Sequence, residues 1–264
     1  MTPAPHETVV LADGRVGYES HYLKGNSPDG QRAFWVKHTL TRKADGATVL
    51  QLWCVRFERG AAPDVWYEER AWPALGDGPR IDDDGLELRP SLAIGPVWDL
   101  KIAGGHPLVH LPDLLYARLL PTAKVLTPAA GARFEGVVGD WRVGGWVGCR
   151  GHNWGRRHAH RYAWLAVDTP VVIGGFVAQP REGWPTIGLV APPRRMGLAK
   201  LQPGRFEYAG VVATAPPESF VQLDYLGPDG ETVPCFCTKF ATVTVDGEVV
   251  SQAGELEFIG VSVA

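Results

Sequence analysis

The chain has 264 residues, a formal net charge of -3, 45% apolar residues and 21% charged residues. That balance suits a soluble globular protein with one large all-β domain or two of ordinary size. It offers no broad basic field for nucleic acid, and no apolar run approaches the length of a membrane-spanning helix.

The opening, MTPAPHETVVLADG, has neither a basic n-region nor a long apolar run. With four cysteines in no zinc-like spacing, it sets the expectation of a cytoplasmic protein with reduced thiols. Asp-Gly then recurs along the chain, at Asp13, Asp29, Asp45, Asp77, Asp84, Asp229 and Asp246. Between alternating apolar runs this pair signals a hairpin, because tight hairpin turns need positive φ. Strands are expected at 7–11 and 15–19, at 33–40 and 48–58, and on either side of Asp246-Gly247. Residues 49–57 are apolar on both parities, the pattern of a strand covered on both faces. His106 and His110 fall in a Gly/Pro loop and are expected at the surface, and Asp82-Asp83-Asp84 reads as a polar turn.

The one good helix candidate is 111–120, with Pro112 and Asp113 suited to a first turn and Pro121 stopping it. A Pro/Gly/Ala-rich loop over 121–133 marks a boundary between halves, 1–125 and 126–264. Strands follow near 134–142, 143–149, 159–167, 171–178, 184–191, 206–213, 220–226, 232–238, 241–246 and 248–261. Short strands at such intervals indicate a sandwich or barrel. No phosphate-binding loop, dinucleotide fingerprint or nucleophile elbow is present, so no cofactor is expected.

The stretch from Val147 to Trp164 carries the densest chemistry: three histidines and two tryptophans, opening on closely spaced glycines. From His158 onward one parity holds His158, His160, Tyr162 and Trp164. In a strand these share a face, which would place imidazoles and aromatic rings on one wall of an apolar pocket. A polar-aromatic face that is merely surface is the alternative.

Gly151-His152-Asn153-Trp154-Gly155, with His158-Ala159 and Trp164 behind it, resembles the central motif of the family of AttH-like proteins, bacterial carotenoid 1,2-hydratases and plant tocopherol cyclases. Glu19 to Lys24 running into Arg32 to Lys37 resembles the family's opening. Leu111-Pro112, Tyr116, Pro121, Lys124 and Pro128 resemble its mid-chain linker. The resemblance implies two lipocalin-like antiparallel β-barrels or half-barrels in tandem, with a ligand pocket at or near their junction. It implies cofactor-free hydration or cyclisation of long apolar molecules. The Tyr-x-Asp that follows the motif in carotenoid hydratases has no counterpart; the nearest downstream carboxylate is Asp168.

Acid–base work on an alkene needs a dry proton donor and aromatic faces to stabilise a cation. His152 is the candidate acid or relay, with Glu19 or Asp168 as the carboxylate that holds its charge. Asn153, Trp154, His158, His160, Tyr162, Trp164 and Trp53 are candidate substrate-binding residues. Equally, His152 and Asn153 can serve only to satisfy buried backbone groups, and the tryptophans can be core. A metal on His152, His158 and His160 lacks a Cys or acidic ligand at matching spacing and is not expected. Two functions compete: a cofactor-independent hydratase, dehydratase or cyclase for a terpenoid or polyene, and a non-catalytic carrier of an apolar small molecule.

Overall fold

The computed structural model describes residues 15–72, 87–89, 92–116 and 122–263. Expected features at 7–11, Asp13-Gly14, Asp77-Gly78, Asp82 to Gly85 and 117–121 lie outside them. In chain order the strands begin with β1 (Gly17–Asn26), β2 (Arg32–Arg42), β3 (Thr48–Glu58), β4 (Asp64–Ala71), β5 (Glu87–Arg89), β6 (Leu92–Gly95), β7 (Trp98–Ala103) and β8 (His106–Val109). One helical turn, α1 (Asp113–Tyr116), precedes β9 (Ala123–Val138) and β10 (Trp141–Gly155). Then come β11 (Arg161–Val167), β12 (Ile173–Gln179), β13 (Ile187–Ala191), β14 (Arg195–Leu198), β15 (Arg205–Tyr208) and β16 (Val211–Thr214). The chain closes with β17 (Val221–Leu226), β18 (Thr232–Val245) and β19 (Glu248–Ile259).

These strands form two antiparallel sheets in tandem. The first has ten strands in the order β4-β3-β2-β1-β10-β9-β7-β6-β5, with β8 on β9. The second has nine, β14-β13-β12-β11-β19-β18-β16-β15, with β17 on β18. The fold is all-β with one short helix, as composition and turn spacing indicate. Hairpins turn at Gly30, Gly46, Gly230 and Gly247, all at positive φ. Among the described residues no helix is long and apolar enough to cross a membrane.

Four expectations are corrected. The Pro/Gly/Ala stretch after Thr122 is strand, the start of β9. Its Pro128 falls at a register shift, between the pairs Arg150↔Ala129 and His152↔Leu126, where a residue without an N–H costs no ladder bond. The sheets therefore change over between Gly155 and Arg161, not at 125/126, and the Gly-His-Asn-Trp-Gly motif belongs to the first sheet. Strand β11 starts only at Arg161, so His158 and His160 precede it in a turn. His110 is fully buried: it packs edge-on to Trp164 and shares a hydrogen bond with Thr127 Oγ1 at 3.0 Å.

Alternation sorts side chains into three layers. One parity of β1, β2, β3 and β10 fills the interior of the first sheet, around Leu23, Phe34, Val36, Leu52, Phe134 and Trp146. Leu165, Val167, Phe206, Val243 and Phe258 fill the interior of the second. The opposite parities meet between the sheets, with Tyr22, Trp35, Trp53 and Phe57 against Leu223, Tyr225, Cys235, Cys237 and Phe240. All four cysteines are buried and free.

This middle layer also buries charge. Lys24 Nζ lies 2.9 Å from Asp168 and donates to the Ala166 carbonyl, also at 2.9 Å; Lys239 Nζ lies 2.5 Å from Glu255. Desolvating such ions is costly, and each pair holds only while both members remain. Lys24→Met should cost about 3–5 kcal/mol in urea unfolding, because Asp168 is left buried without its cation. The double variant Lys24→Met/Asp168→Leu should recover most of that loss; a double variant no more stable than the single would contradict this account.

Candidate functional site

A cavity of about 370 Å³ opens between the sheets. One wall is the outward parity of the first sheet: Tyr18, Ser20 and Tyr22 of β1, Trp35 and Lys37 of β2, and Asn153 of β10. The facing wall is Tyr162 and Trp164 of β11, Phe176 and Ala178 of β12, and Glu257 of β19. Leu111, Leu115 and Val125 close one flank. Trp184, Ile187 and Met196 are partly exposed and form the mouth, while Tyr22, Trp35 and Lys37 are buried at the far end.

Two glycines of β10 make this wall possible. A Cβ on Gly148 would sit 1.9 Å from the Lys24 carbonyl oxygen, so only glycine lets β1 and β10 close there. A Cβ on Gly151 would sit 2.0 Å from the Tyr22 ring, which lies over that position.

Ionisable groups converge at the closed end. The Tyr162 hydroxyl donates a short hydrogen bond to Glu257 Oε1, and the Tyr225 hydroxyl reaches Glu257 Oε2 at 3.4 Å. His158 stacks on Tyr18 with centroids 4.0 Å apart and tilts toward Tyr225 at 5.7 Å. Burial holds its imidazole neutral, bringing its pKa down to about 3. Burial, with the Glu257 charge adding to it, pushes the Tyr18 and Tyr162 phenols up, so both stay protonated near neutral pH. Burial raises the Tyr22 phenol too. Tyr22 Oη, Trp35 Nε1, Asn153 Oδ1 and His158 Nε2 are buried without a hydrogen-bond partner in the protein. Lys37 lies over the Tyr225 ring, 3.6 Å from its centroid, and its burial lowers its pKa.

The sequence candidates divide. Asn153, His158, Tyr162 and Trp164 line the cavity. His160 is exposed and does not, because the strand begins after it. Trp53 lies in the same layer but outside the cavity, against Tyr225 and Tyr67. Trp154 points to the other face of β10, against Tyr116 and His152. Asp168 is the partner of Lys24 and has no part in a pair with His152. Glu19 and His152 do meet: His152 Nε2 lies 2.9 Å from Glu19 Oε1, and His21 Nε2 lies 3.2 Å from the same oxygen. That pair faces the interior of the first sheet, because its residues alternate with Tyr18, Ser20 and Asn153. His152 is therefore not at the cavity. Burial and then the His21 charge outweigh Glu19 and bring its pKa down to about 3. Burial works to raise Glu19, but hydrogen bonds from His152 and His21 overcome it and hold the carboxylate down to about 2.

Sequence reading missed Tyr18, Tyr22, Trp35, Lys37 and Glu257. The signal available was charge inside apolar strands, Lys37 after Phe34-Trp35-Val36 and Glu257 between Leu256 and Phe258. His152, His158 and His160, the three-histidine set not expected to bind a metal, lie in three different surroundings: the interior of the first sheet, the cavity and the surface. Among the described residues, Glu19, His21 and His152 bring ligand atoms within 4.8 Å of one another. Their other ring nitrogens, His21 Nδ1 and His152 Nδ1, lack the orienting acceptor that ligating imidazoles ordinarily have. The set fits an internally hydrogen-bonded carboxylate better than a metal centre.

No known family profile matches the chain. It is 26% identical over 274 aligned positions to two uncharacterized proteins of Mycobacterium tuberculosis, from strains CDC 1551 / Oshkosh and ATCC 25618 / H37Rv. Each alignment covers 89% of this chain and 82% of the relative. Its fold is similar to the crystal structure of kievitone hydratase from Nectria haematococca, with a TM-score of 0.50 at 8% identity. That match covers 96% of this chain and 91% of the hydratase.

Two outcomes follow from the site's electrostatics. His38, His110, His152 and His158 each have a pKa lowered to about 3, chiefly by burial. The unfolded chain takes up these protons below about pH 6.5, and the native chain does so only near 3. Stability is therefore full above pH 6.5 and falls as the pH drops toward 3, by up to about 1.4 kcal/mol per pH unit for each imidazole. Urea midpoints measured from pH 7 to pH 5 should fall, and His110→Gln should flatten the slope; a flat profile would mean that these imidazoles are solvated.

Proposed function

We propose that this protein is a cofactor-independent acid–base enzyme that adds water to, removes water from, or cyclises an apolar terpenoid or polyene in the cavity between its two sheets. One observation carries the reading: the Tyr162–Glu257 pair, neutral His158 and unpartnered Tyr22 hydroxyl gather at the closed end of a pocket otherwise walled by apolar and aromatic side chains. A pocket that only binds needs apolar lining and a few orienting groups; this one holds proton donors and acceptors within one cavity. The fold likeness to kievitone hydratase supports a hydratase more than other chemistries.

In the hydration direction, Glu257 takes a proton from the attacking water while the Tyr162 hydroxyl holds the carboxylate in place. The Tyr22 phenol, which burial keeps protonated and makes a weak acid, supplies a proton to the substrate carbon as the water oxygen bonds to its neighbour, a transfer suited to a double bond activated by conjugation. Neutral His158 is a second acceptor through Nε2. The Trp35 and Trp164 faces stabilise positive charge on a substrate chain, worth about 2 kcal/mol when desolvated. Dehydration runs the same transfers backward, and cyclisation replaces the water with a second part of the substrate.

The carrier reading draws on a different observation: the His–carboxylate pair expected as the acid, His152 with Glu19, lies behind the sheet and away from the cavity. Incubation with farnesol and lycopene in heavy-oxygen water, read by product mass, separates the two. Labelled product should form, and Glu257→Gln should slow it by about 10²–10⁴-fold with quenching of Trp fluorescence by the ligand unchanged. Quenching without product from either compound would favour the carrier. His152→Ala should destabilise the fold by about 1–3 kcal/mol and leave the rate per folded molecule unchanged.

A further inference from the structure

Three lysines are buried in the layer between the sheets, and they are not alike. Lys24 and Lys239 are each tied to a carboxylate, at 2.9 and 2.5 Å. Lys37 lines the cavity and has no carboxylate within ion-pair distance among the described residues. Its neighbours are rings: Tyr225 at 3.6 Å, Trp35 at 5.3 Å and Trp53 at 5.9 Å. Glu257 raises its pKa from a distance, and burial outweighs that and lowers it. A lysine in such a setting costs stability as an ammonium and is a nucleophile as an amine. The adjoining wall supplies unpartnered buried groups, Tyr22 Oη and Asn153 Oδ1. Among the described residues Lys37 Nζ is held by these rings and by no carboxylate, and the groups around it suit a polar end of a ligand.

We propose that the cavity takes an apolar aldehyde or ketone and that Lys37 captures its carbonyl as an imine. This rests on the pocket reading above and names the substrate class. The lone pair of Lys37 Nζ, in its amine form, makes the C–N bond while the carbonyl π electrons move to oxygen. Glu257, beyond direct reach of Nζ, takes a proton from nitrogen through one intervening water, and the Tyr22 hydroxyl donates one to the oxygen, giving the carbinolamine. The nitrogen lone pair then forms C=N as the hydroxyl leaves as water with the proton held by Glu257, which returns to carboxylate, and Tyr22 regains its proton from solvent. One water is lost in all, and no oxidant or reductant is needed. Glu257 afterwards stands as the counterion of the protonated imine. Conjugated to an alkene, that imine draws electrons toward nitrogen, which is what water addition at the far alkene carbon requires. The apolar mouth at Trp184, Ile187 and Met196 accommodates the chain of such a molecule.

The whole protein is incubated with decanal or, in parallel, decanol; the aldehyde sample is treated with cyanoborohydride and mapped by peptide mass. Wild type should carry one decyl chain, on the peptide containing Lys37, formed ahead of any on exposed Lys200. Lys37→Arg, which keeps the charge and cannot form an imine, should lose it while still showing decanol quenching of Trp fluorescence. Glu257→Gln should slow trapping and leave decanol binding unchanged. Decyl groups spread over Lys200 and other surface lysines, with Lys37 untouched while decanol binds, would overturn the imine and leave the pocket standing. Failure of both decanol and decanal to bind would overturn the pocket reading with it. If Lys37→Arg does not fold, the wild-type peptide map alone decides between these results.

Discussion

The pairing of β1 with β10 is the constraint on which the rest of this structure depends. It joins the start of the described chain to its middle, with Tyr18 opposite Gly155 and Asn26 opposite Val147. Because side chains alternate, that one register decides two surroundings at once. Glu19, His21, His152 and Trp154 go to the interior of the first sheet. Tyr18, Ser20, Tyr22 and Asn153 go to the cavity. A slip of one residue would turn one strand's set to the other face, and would bring a Cβ to the close approaches that Gly148 and Gly151 make in this register.

The layer between the sheets is held by apolar contact and by paired charge. Trp35, Phe57 and Tyr225 bury large areas, which provide most of the driving force. The ion pairs Lys24–Asp168 and Lys239–Glu255 add little net stability over apolar substitutes, yet they tie β1 to the segment after β11, and β18 to β19, in one alignment. Trp164 Nε1 reaches Glu255 Oε2 at 3.4 Å, so the paired charges also touch a cavity wall. The polar pocket end is thus an extension of the layer that aligns the sheets. Lys37 and Glu257 belong to that layer by position and differ by lacking a mutual salt bridge.

A cavity between two sheets, with a partly exposed apolar mouth and a buried polar end, orders an elongated ligand by polarity alone. In the proposed reaction the apolar chain stays toward Met196 and the reactive end meets Tyr22, Lys37 and Glu257. Excluding water from that end strengthens each electrostatic contact there. The same exclusion holds His158 neutral, so that in the proposed reaction its Nε2 is an acceptor.

By itself the sequence determined the all-β class and the hairpins at Asp29-Gly30, Asp45-Gly46, Asp229-Gly230 and Asp246-Gly247, and it singled out the segment from Gly151 to Trp164. These are local: positive φ, two-residue alternation and motif spacing are written in neighbouring residues. It also supplied Asn153, His158, Tyr162 and Trp164 as pocket groups, and Glu19 as the partner of His152. Only the tertiary structure decided which face of β10 meets the cavity, because alternation fixes that two faces exist and leaves open which is covered by what. It placed the sheet changeover after Gly155, since Pro128 sits harmlessly at a register shift that only pairing with β10 creates. It buried His110 and left His160 outside, and it brought Lys37 and Glu257, far apart in the chain, to one cavity. Those outcomes depend on contacts between distant strands, which no local pattern encodes.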